Sequence, residues 1–438
     1  MDQATDPLHL SIFVIIFIIT YVMIIDHRIN KHLAAFLGAV MAILAGWATG
    51  LFDEDMLLEH LRGDFLVLTI IIGNLIVVDV ASKSGLFYYI SIKILKLTRG
   101  EPLKLMIYMG LLSVLLSIVV NNIPAVLISA SLTLIACERL DYDPYPFILV
   151  QMMLVNVAGM YTLVSSLPNI IIASELDIGY LEFLGVGVIV TTILIIASYA
   201  MFFTMLKIPK AKMSQAQRER IVDEFDEWAT VEDKKVFYAS GVILGLMMLF
   251  FVLSSIIGIG IATISLSGAA AMLIVSGADF DEAIESVDWP LLAFFMGLFI
   301  VIAGLDFAGG INELAKLVEI IAGENVLIAM LVILWASAIL SGIVDNIVIA
   351  AALAPVILTV TEGTDNGFIL GWALILGANL GGGLTPIGSP SNLIGLNILA
   401  KRTGRQVGWG EWMKIPALMT LLRVVVATFI MLVMYWIS

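Results

Sequence analysis

Apolar residues run along this chain in long blocks separated by short polar punctuation. Blocks at about 8–25, 32–51, 64–83, 145–173, 181–206, 236–257, 260–277, 289–308, 366–399 and 413–437 each read as a membrane-crossing segment, since a core of about 30 Å asks for about 20 predominantly apolar residues in a helix. Two further apolar stretches, 105–138 and 326–360, carry polar residues at their centres and read as pairs of shorter arms. No polar loop marks the division near Gly258, which rests on the repeat described below. Between the two sets of blocks lies a charged connector, 207–235, containing QAQRERIVDEFDEWATVEDKK. It is expected to be solvated and partly helical along the membrane surface.

The block 366–399 should be an unbroken helix but carries GANLGGGLTPIGSPSNLIG from Gly377 to Gly395. Glycine and proline at this density do not hold a helix. A broken helix at membrane depth frees N–H and C=O groups and survives only against protein or a wet cavity. The freed carbonyls, with Thr385, Ser389, Ser391 and Asn392, would form a polar nest that binds a transported solute or its coupling ion.

The two halves of the chain repeat. Asp64 matches Asp288, Gly73 matches Gly297, Gly85 matches Gly309 and Asn122 matches Asn346, each pair 224 positions apart (288 − 64). Asn156 and Asn379, Thr162 and Thr385, and Asn169 and Asn392 continue the register at 223 (379 − 156). Span counting starts the first half outside and the second inside, so the repeats, 1–206 and 236–438, are expected to be inverted, with binding sites at their interface near the midplane.

Four polar elements then align: Asn121-Asn122-Ile123-Pro124 with Asp345-Asn346-Ile347-Val348, and Ser165-Ser166-Leu167-Pro168-Asn169 with Gly388-Ser389-Pro390-Ser391-Asn392. The arm Leu105 to Val120 is roughly 24 Å long as a helix, short for the core, so the first pair reads as a re-entrant hairpin; the second is assigned by symmetry. Helix ends at such tips present unpaired backbone groups and dipole ends. Single Asn and Ser residues commonly just bond a neighbouring helix, for about 0.6 kcal/mol; four matched elements argue instead for a polar chamber. The candidate binding residues are Asn121, Asn122, Ser165, Ser166, Asn169, Asp345, Asn346, Thr385, Gly388, Ser389 and Asn392. Na+ is a candidate at Asn122, Ser165, Asn346 and Gly388. Asp345 is the one carboxylate at a tip and could coordinate Na+ or take up a proton. Arg423, inside the last span, is expected to snorkel toward the cytoplasmic side or to pair with a buried acid.

Composition and charge narrow the function. Apolar residues make up 61% and charged residues 13%, with a mean hydropathy of +1.07, which is an integral membrane protein and not a soluble domain. Placing the N-terminus outside puts all but Arg62, Lys316 and Arg423 of the 22 basic residues on the cytoplasmic side, with the connector; the positive-inside rule expects this. The net charge of -14 and the lack of a basic face disfavour nucleic acid. A single cysteine, Cys137, excludes an intrachain disulfide, and His9, His27, His32 and His60 all fall at segment ends or in loops, which argues against a histidine metal site. No candidate His, Cys or carboxylate pair lies at depth for an intramembrane enzyme, and Gly381 to Gly388 lacks the lysine of a phosphate-binding loop. A channel is the weaker reading, since broken helices fit alternating access.

GLFYYISIKILKLTRGEP with LLSVLLSIVVNNIP, then ILSGIVDNIV, then GANLGGGLTPIGSPSNLIG resemble the ion transporter superfamily, in the branch of arsenite permeases, the melanosomal P protein and NhaD-type sodium/proton antiporters, with dicarboxylate and citrate transporters more distant. The resemblance covers nearly the whole chain. It implies an all-α polytopic fold of two inverted repeats, each with a re-entrant hairpin and a discontinuous helix. It also implies a scaffold domain, a transport domain that shifts across the membrane, and a homodimer in the inner (plasma) membrane. Members often show Asp-Asn at the first tip and Gly-Asp-Pro-Pro-Asn at the first break. Here Asn121-Asn122 and Ser165-Ser166-Leu167-Pro168-Asn169 lack both acids. The leading expectation is therefore a secondary transporter of a small anion, or of a neutral oxyacid such as arsenous acid, driven by Na+ or H+, with no cofactor; the alternative is Na+/H+ antiport through Asp345.

Overall fold

The computed structural model describes residues 6–26, 28–323 and 325–437. His27, and Glu324 before the second apolar pair, lie outside them. The chain is all helical. In order the helices are α1 (Pro7–Ile25), α2 (Lys31–Thr49), α3 (Glu54–His60), α4 (Arg62–Lys83), α5 (Leu86–Leu97), α6 (Pro102–Val120), α7 (Asn122–Leu140), α8 (Tyr145–Ala158), α9 (Leu167–Glu175), α10 (Tyr180–Met205), α11 (Gln215–Asp223), α12 (Lys234–Ile257), α13 (Ile261–Ser276), α14 (Phe280–Glu285), α15 (Trp289–Phe307), α16 (Gly310–Ala322), α17 (Val326–Ile343), α18 (Asn346–Val360), α19 (Gly367–Gly381), α20 (Pro390–Thr403), α21 (Trp409–Lys414) and α22 (Pro416–Ile437). Among the described residues ten of them are long and apolar enough to cross a membrane; this is an integral membrane protein.

Local chemistry sets the ends. Proline opens α1, α6, α8, α15 and α20 at the first turn, where its missing N–H costs nothing. Asp6 and Asn30 cap α1 and α2 by accepting from the N–H groups of Leu8 and His32. The cut near Gly258, unmarked by polar residues, is made by the glycine itself: it caps α12 at φ 69°, the left-handed end of a helix.

Residues matched by the repeat do matched work. Gly85 and Gly309 both sit at positive φ, 81° and 80°, and start α5 and α16. Gly73 and Gly297 let helices of opposite halves touch: a Cβ on Gly73 of α4 would lie 2.6 Å from the Ser265 carbonyl carbon in α13, and one on Gly297 of α15 would lie 2.7 Å from the Ala35 carbonyl oxygen in α2. These crossings knit α1, α2, α4, α12, α13 and α15 into one layer. The second layer holds α6 to α10 and α17 to α22. Within it, α6 on α8 mirrors α17 on α19, and α7 on α20 mirrors α18 on α9.

Both apolar pairs double back. Tyr142, just after α7, donates its hydroxyl to the Gly100 carbonyl just before α6 at 2.8 Å, so the chain leaves the α6–α7 hairpin where it entered. Similarly, α16 packs on both α17 and α18. The arms are not short in the way the sequence implied. The helix starts at Pro102 and not at Leu105, giving 19 residues in each arm of the first pair, against 18 and 15 in the second. The connector is more ordered than a solvated linker need be. It carries α11, and Glu227 beyond it is bridged to Lys93 and Lys96 of α5, while Glu219 and Glu224 reach Arg99 and Arg139.

Candidate functional site

The two broken helices are built alike. In the first, α8 stops at Ala158, the chain turns through 159–166, and α9 resumes at Leu167. The Asn169 amide donates to the carbonyls of Gly159 (2.6 Å) and Thr162 (3.1 Å), collecting two of the oxygens that the break frees. In the second, α19 ends at Gly381 and α20 begins at Pro390; the Asn392 amide donates to Gly382 O (2.8 Å) and Thr385 O (3.2 Å). Each member of the second clamp lies 223 positions after its counterpart (392 − 169, 382 − 159, 385 − 162). A buried carbonyl left with no donor costs about 1–3 kcal/mol, and these amides help to offset that cost, at the first break together with Ser165.

The breaks are also bound to each other. Asn156 of α8 donates to Asn392 Oδ1 (3.1 Å) and accepts from Ser389 (2.9 Å) and Ser391 (2.9 Å). In the mirror arrangement, Asn379 of α19 donates to Asn169 Oδ1 (2.9 Å) and accepts from Ser166 (2.8 Å). All seven side chains are buried. Asn156 and Asn379 were legible as a repeat pair but not as site residues. Their signal was an asparagine inside an otherwise apolar helix, at the matched offset.

The hairpin tips meet the breaks. Asn121 turns the first tip at φ 73°, and its side chain accepts from the Asn122 N–H. Asn122 accepts from Ser117 at 2.6 Å and lies against Gly159, where a Cβ would come within 3.0 Å of its amide nitrogen. At the second tip, Thr385 donates to Gly342 O (2.6 Å) and Ser341 donates to Ala378 O (2.6 Å). Gly388 lies so close that a Cβ would stand 3.2 Å from Ser341 O. Ser165 hydrogen-bonds within its own turn, to Gly159 O (2.8 Å) and Thr162 O (2.7 Å). Asn346 is buried at the start of α18. Both tips and both breaks are thus adjoining, and a small cavity of about 40 Å³ lies between Asn121 and Asn74 of α4.

Asp345 is placed differently from a bare ion ligand. One oxygen caps α18 by accepting from the Ile347 N–H (3.2 Å), and the other pairs with Lys31 of α2 at 2.9 Å. The pair joins the two layers, and Lys31 also lies over the Phe294 ring of α15. Arg423 does not snorkel, and among the described residues it meets no acid: it is 2% exposed, and Nη1 is 3.5 Å from Met153 O. A second junction between the layers is a cavity of about 160 Å³ lined by His60, Asp64, Glu175 and Asp306, where α9 faces α4 and α15. Among the described residues no cluster of three His, Cys, Asp or Glu side chains could hold a metal.

With this geometry in hand, comparison with known proteins is decisive about family. The model of the citrate transporter family matches residues 15–377. The chain belongs to the citrate transporter family. It is 32% identical over 428 residues to an uncharacterized transporter of Mycobacterium tuberculosis, covering 97% of this chain and 98% of the relative. It is 25% identical over 455 residues to the P protein of Homo sapiens, covering 85% of this chain and 54% of that one. The crystal structure of the Alcanivorax borkumensis YdaH transporter, described as having an unusual topology, superposes with a TM-score of 0.59 at 15% identity, over 87% of this chain and 89% of that one; this likeness concerns the fold alone. The protein is a transporter of this family and not an enzyme, and it fits the ion transporter superfamily inferred from its motifs.

Proposed function

We propose that the protein is a secondary active transporter of a small organic anion, citrate being the first candidate, driven by Na+ or H+ through alternating access. The observation that carries the reading is the pairing of Asp345 with Lys31 at 2.9 Å. It neutralises the one carboxylate at the tips and leaves a core built from Asn, Ser and backbone dipoles. Such groups replace part of a solute's hydration without a fixed negative charge to repel an anion. Coupling cations would sit at the tips, at Asn122 with Ser165 and at Asn346 with Gly388. The layer of α6 to α10 and α17 to α22 would carry them past the α1, α2, α4, α12, α13 and α15 layer, within a homodimer. The halves 1–206 and 236–438 would be inverted repeats, their hairpins re-entrant from opposite sides, with the connector 207–235 cytoplasmic in the inner membrane. Na+/H+ antiport through Asp345 is the competing reading; it would need the carboxylate released from Lys31 in each cycle.

Proteoliposome flux tests this. Inward Na+ or H+ gradients should accelerate uptake of labelled citrate. Exchange of Na+ for H+ with no movement of citrate, other carboxylates or oxyanions would overturn the anion reading.

A further inference from the structure

Arg423 is the buried charge that the transport scheme leaves over. It lies in α22 at 2% exposure, and its Nε and Nη2 have no hydrogen-bond partner. Its Nη1 donates to the Met153 carbonyl at 3.5 Å, and its guanidinium stands 5.4 Å from the Phe202 ring centre. One turn earlier on the same face, Thr420 is fully buried with an unpartnered Oγ1. That hydroxyl faces the second break: a Cβ on Gly383 would be 2.5 Å from it. Among the described residues no carboxylate is paired with Arg423, whereas Asp345 is already matched by Lys31. A guanidinium taken out of water without a counter-charge is costly. A planar fork with two idle donors fits a carboxylate or a similar oxyanion.

The geometry points to Arg423 and Thr420 as an anion-binding pair behind the α19–α20 break, specific for a carboxylate-bearing solute. The guanidinium supplies the charge and the forked donors; the threonine hydroxyl supplies one further bond; Gly383, having no side chain, lets Thr420 lie directly against the break. A net positive core then favours anions over cations at the step of entry. This rests on the anion reading above and adds the residue that selects for charge. The competing role is structural, with Arg423 answering the C-terminal dipoles of α8 and α19.

Thermal unfolding of the purified protein in low-salt buffer, with citrate as the probe, separates the two. Citrate should raise the wild-type Tm by several degrees. In Arg423→Met the citrate shift should vanish while the citrate-free Tm stays level or rises, because an unpaired charge has been removed. Arg423→Lys should keep part of the shift, and Thr420→Val should reduce it. An Arg423→Met protein with a lowered citrate-free Tm and an undiminished citrate shift would overturn the proposal in favour of the dipole role. Flux distinguishes this from the broader reading. Citrate transport by Arg423→Met at the wild-type rate would sink the site and leave the transporter. A citrate shift that needs Arg423 in a protein that carries no citrate would keep the site and sink the transport of citrate.

Discussion

Asn156 donates its amide to Asn392 Oδ1 at 3.1 Å, and the same bond recurs 223 positions on, from Asn379 to Asn169 at 2.9 Å. The two bonds tie each broken helix to the other, half to half. Asn156→Ala and Asn379→Ala should therefore destabilise to a similar degree, by about 1–3 kcal/mol for each group left without a partner. Chemical or thermal unfolding in detergent measures this. A large loss from one variant and none from the other would show that the two networks are not equivalent.

The Lys31–Asp345 pair joins the two layers, with the lysine a third exposed and the aspartate 12% exposed. Partial exposure limits its worth to about 1 kcal/mol. Lys31→Met and Asp345→Asn should each slow transport, the double variant no more than either alone, and cation coupling should persist in all three. Flux as a function of Na+ and pH gradients checks this; loss of coupling in Asp345→Asn alone would make the carboxylate the ion site.

Helix α19 packs on α17 through glycines with no room to spare. A Cβ on Gly381 would stand 2.2 Å from the Ala338 carbonyl oxygen, whereas at Gly185 nothing lies within 4 Å. Gly381→Ala should cost about 1–3 kcal/mol through backbone displacement and reduce transport, while Gly185→Ala should leave Tm unchanged. Equal behaviour of the two would contradict the close approach.

Glu227 fastens the connector to α5. Hydrogen bonds from Lys96 first, then from its own backbone N–H and from Lys93, hold its carboxyl far below the usual range, down to about 2. A depressed carboxyl stabilises the folded form above its ordinary value and stops doing so once protonated. The connector should therefore stay docked above pH about 4.5 and release as pH falls through about 2. Limited proteolysis with pepsin across that window reads the release; Glu227→Gln should expose the same cleavage sites already at pH about 4, where the wild type is still docked, and unchanged protection would discount the clamp.

Much of this was legible in the chain. The glycine pairs Gly73 with Gly297 and Gly85 with Gly309 announced equivalent positions, and the structure gives each pair one shared job. The breaks were visible because glycine and proline cannot continue a helix. What could not be read was who bonds to whom. Ser166, Asn169, Ser389 and Asn392 looked free to bind a solute, yet they spend their hydrogen bonds on freed carbonyls and on Asn379 and Asn156, and the partnership with those two asparagines needs the other half of the chain in place. Lys31 lies 314 positions from Asp345, and no local pattern joins them. Arg423, a third of the way into the last span, was expected to snorkel to water or to meet a buried acid; the packing of α8, α10 and α22 around it closes the first route.

The most direct test asks on which side of the membrane each hairpin opens. In a Cys137→Ser background, single cysteines at Glu138, in the last turn of the first hairpin, and at Glu362, just after the second, are exposed to a membrane-impermeant maleimide on intact cells. The expected result is labelling of Glu362→Cys at once and of Glu138→Cys only after permeabilisation. Labelling of both from one side would place the two hairpins on the same face of the membrane and contradict a site reached alternately from either side.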